Sequence, residues 1–161
     1  MEVPPSVLTP PGRQPTVNVP FCRIALVIEK QINVEVWMPR DWNGMFQGVG
    51  NGGLTGAINY AMMGMAIKRG FATASTDTGH ISEGVRDTSW IPGNPERVVN
   101  FGHHAHHLMA ETAKKAIAGS FEALKNLQLP DTRVLIAESV RPDPEWRCRH
   151  PCLPRRGDSR R

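Results

Sequence analysis

The chain has 161 residues, the size of a single domain, and 40% of them are hydrophobic, which is enough for a core of its own. Its formal net charge of +4 comes from residues 141–161, which contain seven arginines and three acidic residues. The charges of residues 1–140 sum to zero. A nucleic-acid-binding protein normally spreads basic residues over a folded face, and no apolar run reaches the roughly eighteen residues of a membrane span, so neither class is indicated.

Proline dominates the beginning of the chain. Residues 1–20 predict an extended lead-in lying on a surface, and they lack the basic and apolar regions of a signal peptide, so the compartment stays unassigned. Two β-branched runs follow at residues 23–29 and 33–38. With a short polar link between them, they predict an antiparallel hairpin.

Strands then alternate with helices. The predicted elements are a strand at 45–49, a helix at 56–69 ending before Gly70, a strand at 71–76, a helix at 96–127 with a break near Gly119, and a strand at 133–137. The last run is continuously apolar, which suits a central parallel strand. Since strand–helix alternation implies βαβ crossovers, residues 21–140 predict an α/β fold with an antiparallel hairpin leading into a mostly parallel sheet.

Residues 141–161 break this pattern, because Arg, Pro and Cys dominate and neither the helical nor the strand period is present. We expect a disordered basic tail, and we interpret the abrupt change in composition as an out-of-frame end beginning near residue 140. Cys148 and Cys152, with His150 between them, have the spacing of half a metal site. No second pair completes a tetrahedral shell, so we predict no metal there.

A glycine cluster at residues 48–53 follows the third predicted strand. In α/β-hydrolases the loop at this place supplies a main-chain amide of the oxyanion hole, and glycines let such amides approach the oxyanion closely. We predict that Asn51, Gly52 and Gly53 form it. A tight packing turn is one alternative, and a phosphate-binding loop is another, because the cluster also meets the G-x-G-x-x-G spacing.

A polar motif, Asp77-Thr78-Gly79-His80, ends the strand at 71–76. Ligand sites of α/β sheets form at the carboxyl edge, so we predict that this motif supports the floor of the site. The alternative is a turn in which Asp77 caps local amides. A nucleotide-binding βαβ protein would also place an acidic residue at the end of this strand, so that interpretation stays open.

Four histidines lie close together at His103, His104, His106 and His107. On a helix the first and last share a face, which suits adventitious metal binding. We predict no catalytic metal and no cofactor.

Distinctive phrases occur in uninterrupted order between residues 8 and 115. They are LTPPG, FCRIAL, INVEVWMPRDWNGMFQGVGNGGLTGAINY, AIKRGFATASTDTGH, SWIPGNPERVVNFGHHAHHLM and TAKKAI. The chain therefore resembles the amino-terminal part of the tannase/feruloyl esterase family. The resemblance implies a partial α/β-hydrolase fold and a usually exported serine carboxylic-ester hydrolase that acts on small-molecule esters of aromatic acids. It also implies a disulfide at Cys22, made with a cysteine near the mature amino terminus, and a packed role for His107.

The chain departs from this family where the nucleophile is expected. A Gly-Cys-Ser-x-Gly-Gly elbow should follow TAKKAI, but the sequence reads RVLIAESVRP. Ser139 falls near the nucleophile position by strand register, whereas Glu138, Arg141 and Pro142 replace the small neighbours that a strained elbow needs. No downstream acid–histidine pair follows. We expect a fragment without a complete triad; a non-catalytic binding module and a nucleotide-binding βαβ protein are the alternatives.

Overall fold

The computed structural model describes residues 17–82, 84–119 and 131–140. The elements are β1 (Phe21–Ile28), β2 (Ile32–Pro39), β3 (Phe46–Val49), α1 (Tyr60–Lys68), β4 (Ala72–Thr76), α2 (Pro95–Val99), a π-helical turn (Asn100–His104), α3 (Ala105–Ala118) and β5 (Thr132–Val140). The predicted strands and the helix at 56–69 are confirmed with ends shifted by a few residues. The helix predicted at 96–127 is confirmed over its described part, which runs from Pro95 to Ala118 through the π-helical turn and ends before Gly119. Only residues 17–20 of the predicted lead-in are described, and Val17 is buried in the core, so this residue does not lie on the surface as predicted. The predictions for residues 1–16, 120–127 and 141–161 lie outside the described residues.

The hairpin forms because two β-branched runs flank a turn of left-handed residues. β1 pairs with β2 from Phe21 opposite Pro39 to Ile28 opposite Ile32. Between the strands, Glu29 and Lys30 have φ values of 49° and 68°. Nearly every residue of both strands is buried, so the hairpin lies inside the molecule and not on its surface.

The strand order is β3-β4-β2-β1-β5. Only β3 and β4 are parallel; β2 runs antiparallel to both β1 and β4, and β5 runs antiparallel to β1. The prediction of a mostly parallel sheet is therefore wrong for the described residues, which form a mixed sheet. The hairpin is the reason, because its second strand, β2, lies between β1 and β4 and runs opposite to both.

The run at 133–137 is not a central parallel strand either. It belongs to β5, which lies at an edge of the described sheet and pairs with β1 across an irregularity between Ala25 and Leu26. A continuous apolar run indicates that both faces of a strand are buried, but it does not specify the position of that strand in the sheet.

Helices cover both faces of the sheet. On one face, α3 buries Ala105, Met109 and Ala113 against β1, β2 and β4; on the other, α1 buries Met63 and Ile67 against Phe21 and Trp37 of the hairpin. None of the helices in the described ranges has the length and apolar character that a membrane span requires.

A buried ion pair joins the hairpin to the start of α1. Arg23 donates from Nη2 to Glu35 Oε1 (2.7 Å) and from Nε to Oε2 (3.0 Å), and both side chains are fully buried. Glu35 also accepts hydrogen bonds from Trp37 Nε1 (2.8 Å) and from the Tyr60 hydroxyl (2.9 Å). Four donors on one carboxylate offset much of the cost of removing it from water.

Cys22 is buried on β1 and is disulfide-bonded. Its partner lies outside the described residues, where the chain's other two cysteines, Cys148 and Cys152, also fall. The amino-terminal pairing implied by the family resemblance stays a prediction.

Candidate active site

The carboxyl ends of β3 and β4 meet at one edge of the sheet because these two strands are parallel. Val49 lies opposite Ser75, so the segments that follow the strands emerge side by side. We call residues 50–56 the glycine loop and residues 77–80 the Asp77 turn. The structure therefore brings together the two motifs that the sequence indicates as oxyanion loop and site floor.

Side-chain bonds tie the glycine loop to β4 and to α1. Asn51 donates from Nδ2 to Thr76 O (3.0 Å), and Asn59 donates from Nδ2 to Gly50 O (3.0 Å). The main-chain amide of Asn59 donates to Ser75 Oγ (3.0 Å), and its own Oδ1 caps α1 by accepting from Met62 N (3.2 Å). Sequence reasoning missed Asn59, although an asparagine directly before a helical run is an N-cap signal.

The loop leaves three consecutive main-chain amides without acceptors. Within the described part of the chain, the N–H groups of Asn51, Gly52 and Gly53 donate to no hydrogen bond, whereas Leu54 N donates to Val85 O (2.9 Å). Gly53 has φ +57°, and a Cβ there would lie 2.4 Å from Val85 O, so only glycine fits.

A cavity of about 360 Å³ opens beside these amides. Its lining includes Asn51, Gly52, Thr55, Ile58, Tyr60 and Val85. Most of this surface is apolar, and the polar residues of its lining come from the glycine loop and from the start of α1. An apolar cavity with a few convergent donors is the usual form of a small-molecule site.

Asp77 makes the contacts of a capping residue. Its carboxylate is almost completely buried; Oδ1 accepts from Asn33 N (3.0 Å) and Gly79 N (2.9 Å), and Oδ2 accepts from Asn33 Nδ2. Burial raises the pKa of Asp77, and the hydrogen bonds from Asn33 and Gly79 oppose that rise. The side chain thereby joins the start of β2 to the turn after β4.

His80 is enclosed between the glycine loop and the following segment. Its Nε2 lies 3.1 Å from Leu54 O and its Nδ1 lies 3.2 Å from Thr78 Oγ1. Trp90 stacks on the imidazole with ring centroids 3.8 Å apart, and Phe101 contacts it edge-on. The two aromatic residues, which the sequence did not indicate, fix His80 as a support beneath the loop.

Ser139 lies far from the glycine loop. On β5 it pairs with Cys22 of β1, and Cys22 pairs with Met38 of β2. Met38 lies one residue past Trp37, which pairs with Thr73 near the amino end of β4, so Ser139 is level with the amino end of β4 and the glycine loop is at the carboxyl end. Three strands separate β5 from β3, and four interstrand steps place them roughly 19 Å apart. The structure therefore does not bring Ser139 to the predicted oxyanion residues.

The four histidines do not converge. His104 Nε2 lies 3.0 Å from the Glu29 carboxylate, and His107, whose side chain is 66% exposed, lies 3.4 Å from Glu111. His106 is the histidine that packs, beside Gly50, and burial lowers its pKa. The expectation that His107 is the packed one is therefore wrong. No group of three potential metal ligands occurs within the described ranges.

Comparison with known proteins identifies related chains. Residues 19–126 match the family model described as tannase and feruloyl esterase. A probable feruloyl esterase B of Aspergillus clavatus is 39% identical over 97 residues, covering 56% of this chain and 18% of the relative. An uncharacterized esterase of Xanthomonas campestris is 34% identical over 110 residues, covering 65% and 19%.

A solved structure agrees with these sequence matches. The crystal structure of feruloyl esterase B from Aspergillus oryzae superposes with a TM-score of 0.57 at 35% identity, over 65% of this chain and 21% of that one. The chain thus spans about a fifth of the length of the relatives it matches.

Proposed function

The chain belongs to the tannase and feruloyl esterase family of carboxylic ester hydrolases, and from this we propose that its glycine loop is the oxyanion-binding part of an ester-hydrolysing site. The main-chain amides of Asn51, Gly52 and Gly53, which have no acceptor among the described residues and lie at the carboxyl edge of the sheet, are the observation that carries this proposal. A single preorganised donor of this kind stabilises the transition state by roughly 3–4 kcal/mol.

Fixed geometry is what makes such donors effective. An amide that already points at the developing charge needs no reorganisation during the reaction, whereas water does. The bonds from Asn51 to Thr76, from Asn59 to Gly50 and from Leu54 to Val85 hold the glycine loop at three places. The Asp77 turn supports it from below through His80, so we assign that turn a structural role in the floor of the site.

The cavity supplies the reason to propose an aromatic acyl group. Ile58, Tyr60 and Val85 form apolar walls next to the free amides. A flat ring against these walls would leave the ester carbonyl near the loop. The names of the related feruloyl esterases agree with an ester of an aromatic acid as substrate.

Ser139 has no part in this proposal, because it lies on β5, at the edge of the described sheet opposite to β3. A serine hydroxyl without an adjacent base is a poor nucleophile at neutral pH. We therefore predict that the purified chain hydrolyses neither methyl ferulate nor methyl gallate above the buffer rate. Release of ferulate that disappears in Ser139→Ala would contradict this.

The nucleotide-binding alternative receives less support from the geometry. In a dinucleotide site, the acidic residue at the end of the second strand binds ribose hydroxyls. Both oxygens of Asp77 already accept hydrogen bonds from Asn33 and from Gly79. The alternative of a non-catalytic binding module agrees with the large distance between Ser139 and the glycine loop.

Ferulate, whose carboxylate stands in for the oxyanion, provides a direct test. In a titration followed by NMR, we expect the amide resonances of Asn51, Gly52 and Gly53 to shift. Gly52→Ala should keep binding, because a Cβ there meets nothing within 4 Å, whereas Gly53→Ala should lose it through the contact with Val85. Shifts with a dinucleotide and none with ferulate would refute the proposal.

A further inference from the structure

We propose that the Asn51–Gly52 peptide is a site of spontaneous deamidation, because the hydrogen bonding of the glycine loop permits the reaction. The chain contains Asn-Gly at two places, Asn43–Gly44 and Asn51–Gly52. Glycine after asparagine favours the reaction because no side chain hinders the attacking amide. The two asparagine side chains differ in their hydrogen bonds, so Asn43 serves as an internal control for Asn51.

The reaction balances without any cofactor. The main-chain nitrogen of Gly52 loses its proton to solvent and attacks Cγ of Asn51, which closes a five-membered succinimide and expels the side-chain nitrogen as ammonia. Water then opens the ring at either carbonyl and leaves aspartate or isoaspartate. The net change is amide plus water to carboxylate plus ammonium.

The loop leaves the attacking nitrogen free. Gly52 N–H has no acceptor within the described part of the chain, and nothing lies within 4 Å of where a Gly52 side chain would begin. Asn51 makes one side-chain bond, from Nδ2 to Thr76 O, and its Oδ1 accepts from no described donor. Among the described residues, a single hydrogen bond therefore restrains rotation of the group under attack.

Asn43 is held at both ends of its side-chain amide. Its Oδ1 accepts from Met45 N (2.9 Å), and its Nδ2 donates to Arg69 O (3.1 Å). The main-chain amide of Asn43 is also bound, to Gly70 O (3.0 Å). Asn43 is nevertheless the more exposed of the two asparagines. Exposure alone thus predicts faster reaction at Asn43, whereas hydrogen bonding predicts faster reaction at Asn51.

Deamidation at Asn51 would detach the loop from the sheet. A carboxylate facing Thr76 O puts two acceptors against each other in place of a hydrogen bond, and isoaspartate lengthens the main chain by one carbon. The new negative charge also lies next to the free amides. The expected loss of anion binding rests on the proposed function, whereas the modification itself does not.

Mass spectrometry of the aged chain tests the proposal. The folded protein is incubated at mildly alkaline pH and digested with a protease that cleaves at Phe46, which separates the two asparagines. We expect deamidated Asn51 to accumulate several-fold faster than deamidated Asn43. In denaturant, where the hydrogen bonds are lost, the two rates should converge.

Two variants serve as controls. Asn51→Gln should abolish the modification, because a longer side chain disfavours the ring, and Gly52→Ala should slow it while leaving the loop folded. Equal or faster reaction at Asn43 in the folded chain, or an unchanged Asn51 in a chain that reacts when unfolded, would overturn the proposal. Since the readout is mass, deamidation without ferulate binding would refute only the proposed function.

Discussion

Asp77 carries the clearest pH dependence at the scale of single residues. Its folded-state pKa is raised above the ordinary value of 3.8, first through burial. The folded chain therefore binds more protons than the unfolded chain at pH values between the pKa of Asp77 in the unfolded chain and its pKa in the folded chain. This contribution to stability is complete below about pH 3.8 and is lost as the pH rises through the folded-state pKa.

Asp77→Asn should remove that part of the pH profile. The measurement is the free energy of unfolding in urea at a series of pH values from about 3.5 to 7. We expect the wild-type value to fall more steeply with rising pH than that of the variant. Asp41→Asn, which alters a carboxylate with an 81% exposed side chain, is the control and should follow the wild type. Parallel curves for wild type and Asp77→Asn would contradict the assignment.

The residues of the site were predictable to different degrees. Asn51, Gly52, Gly53 and the Asp77 turn lie together at one edge of the sheet, because the glycine cluster and the polar motif follow two parallel strands. Their roles there stay predictions. Val85 and Trp90 were not predictable. Their contacts depend on the path of the long loop between β4 and α2. The spacing of hydrophobic residues along the sequence does not indicate that path.

At the scale of elements, the Arg23–Glu35 pair links β1, β2 and α1 through one buried carboxylate. Breaking a buried ion pair by removing one partner is strongly destabilising, so Arg23→Met and Glu35→Gln should each destabilise the fold by about 3–5 kcal/mol. The double variant should cost less than the sum of the two single variants, since both single variants remove the same interaction. Urea unfolding of the four proteins measures this cycle.

A surface pair provides the matched control. Arg40 and Asp41 are 3.1 Å apart with side chains 50% and 81% exposed. The same cycle with Arg40→Met and Asp41→Asn should give about 0–1 kcal/mol. Additive effects at Arg23 and Glu35 would show that the two residues stabilise the chain independently and not as a pair.

The elements themselves divide into those that local signals define and those that tertiary pairing defines. The hairpin, α1 and the end of α3 at Gly119 follow from β-branched runs, helical spacing and a terminal glycine. The position of β5 does not, because a buried apolar strand has the same sequence pattern in the centre and at the edge of a sheet.

The edges of the sheet decide how the whole molecule behaves in solution. Among the described strands, β3 and β5 each have a neighbour on one side only. β3 has four residues, whereas β5 has nine, and its apolar run at 133–137 is partly exposed. A long apolar edge strand is a site for pairing with another chain. We therefore expect self-association of this chain to proceed through β5.

A charge on this edge should reduce that association. Leu135 has no opposite residue on β1, because the register shifts there between Ala25 and Leu26, so Leu135→Lys adds a charge with little loss of pairing. Ile81→Lys, at a loop position that is 84% exposed, is the control and should leave association unchanged. Sedimentation over a range of concentrations measures the effect. A wild-type chain that stays monomeric and unfolds cooperatively would contradict the prediction and would favour an independent binding module.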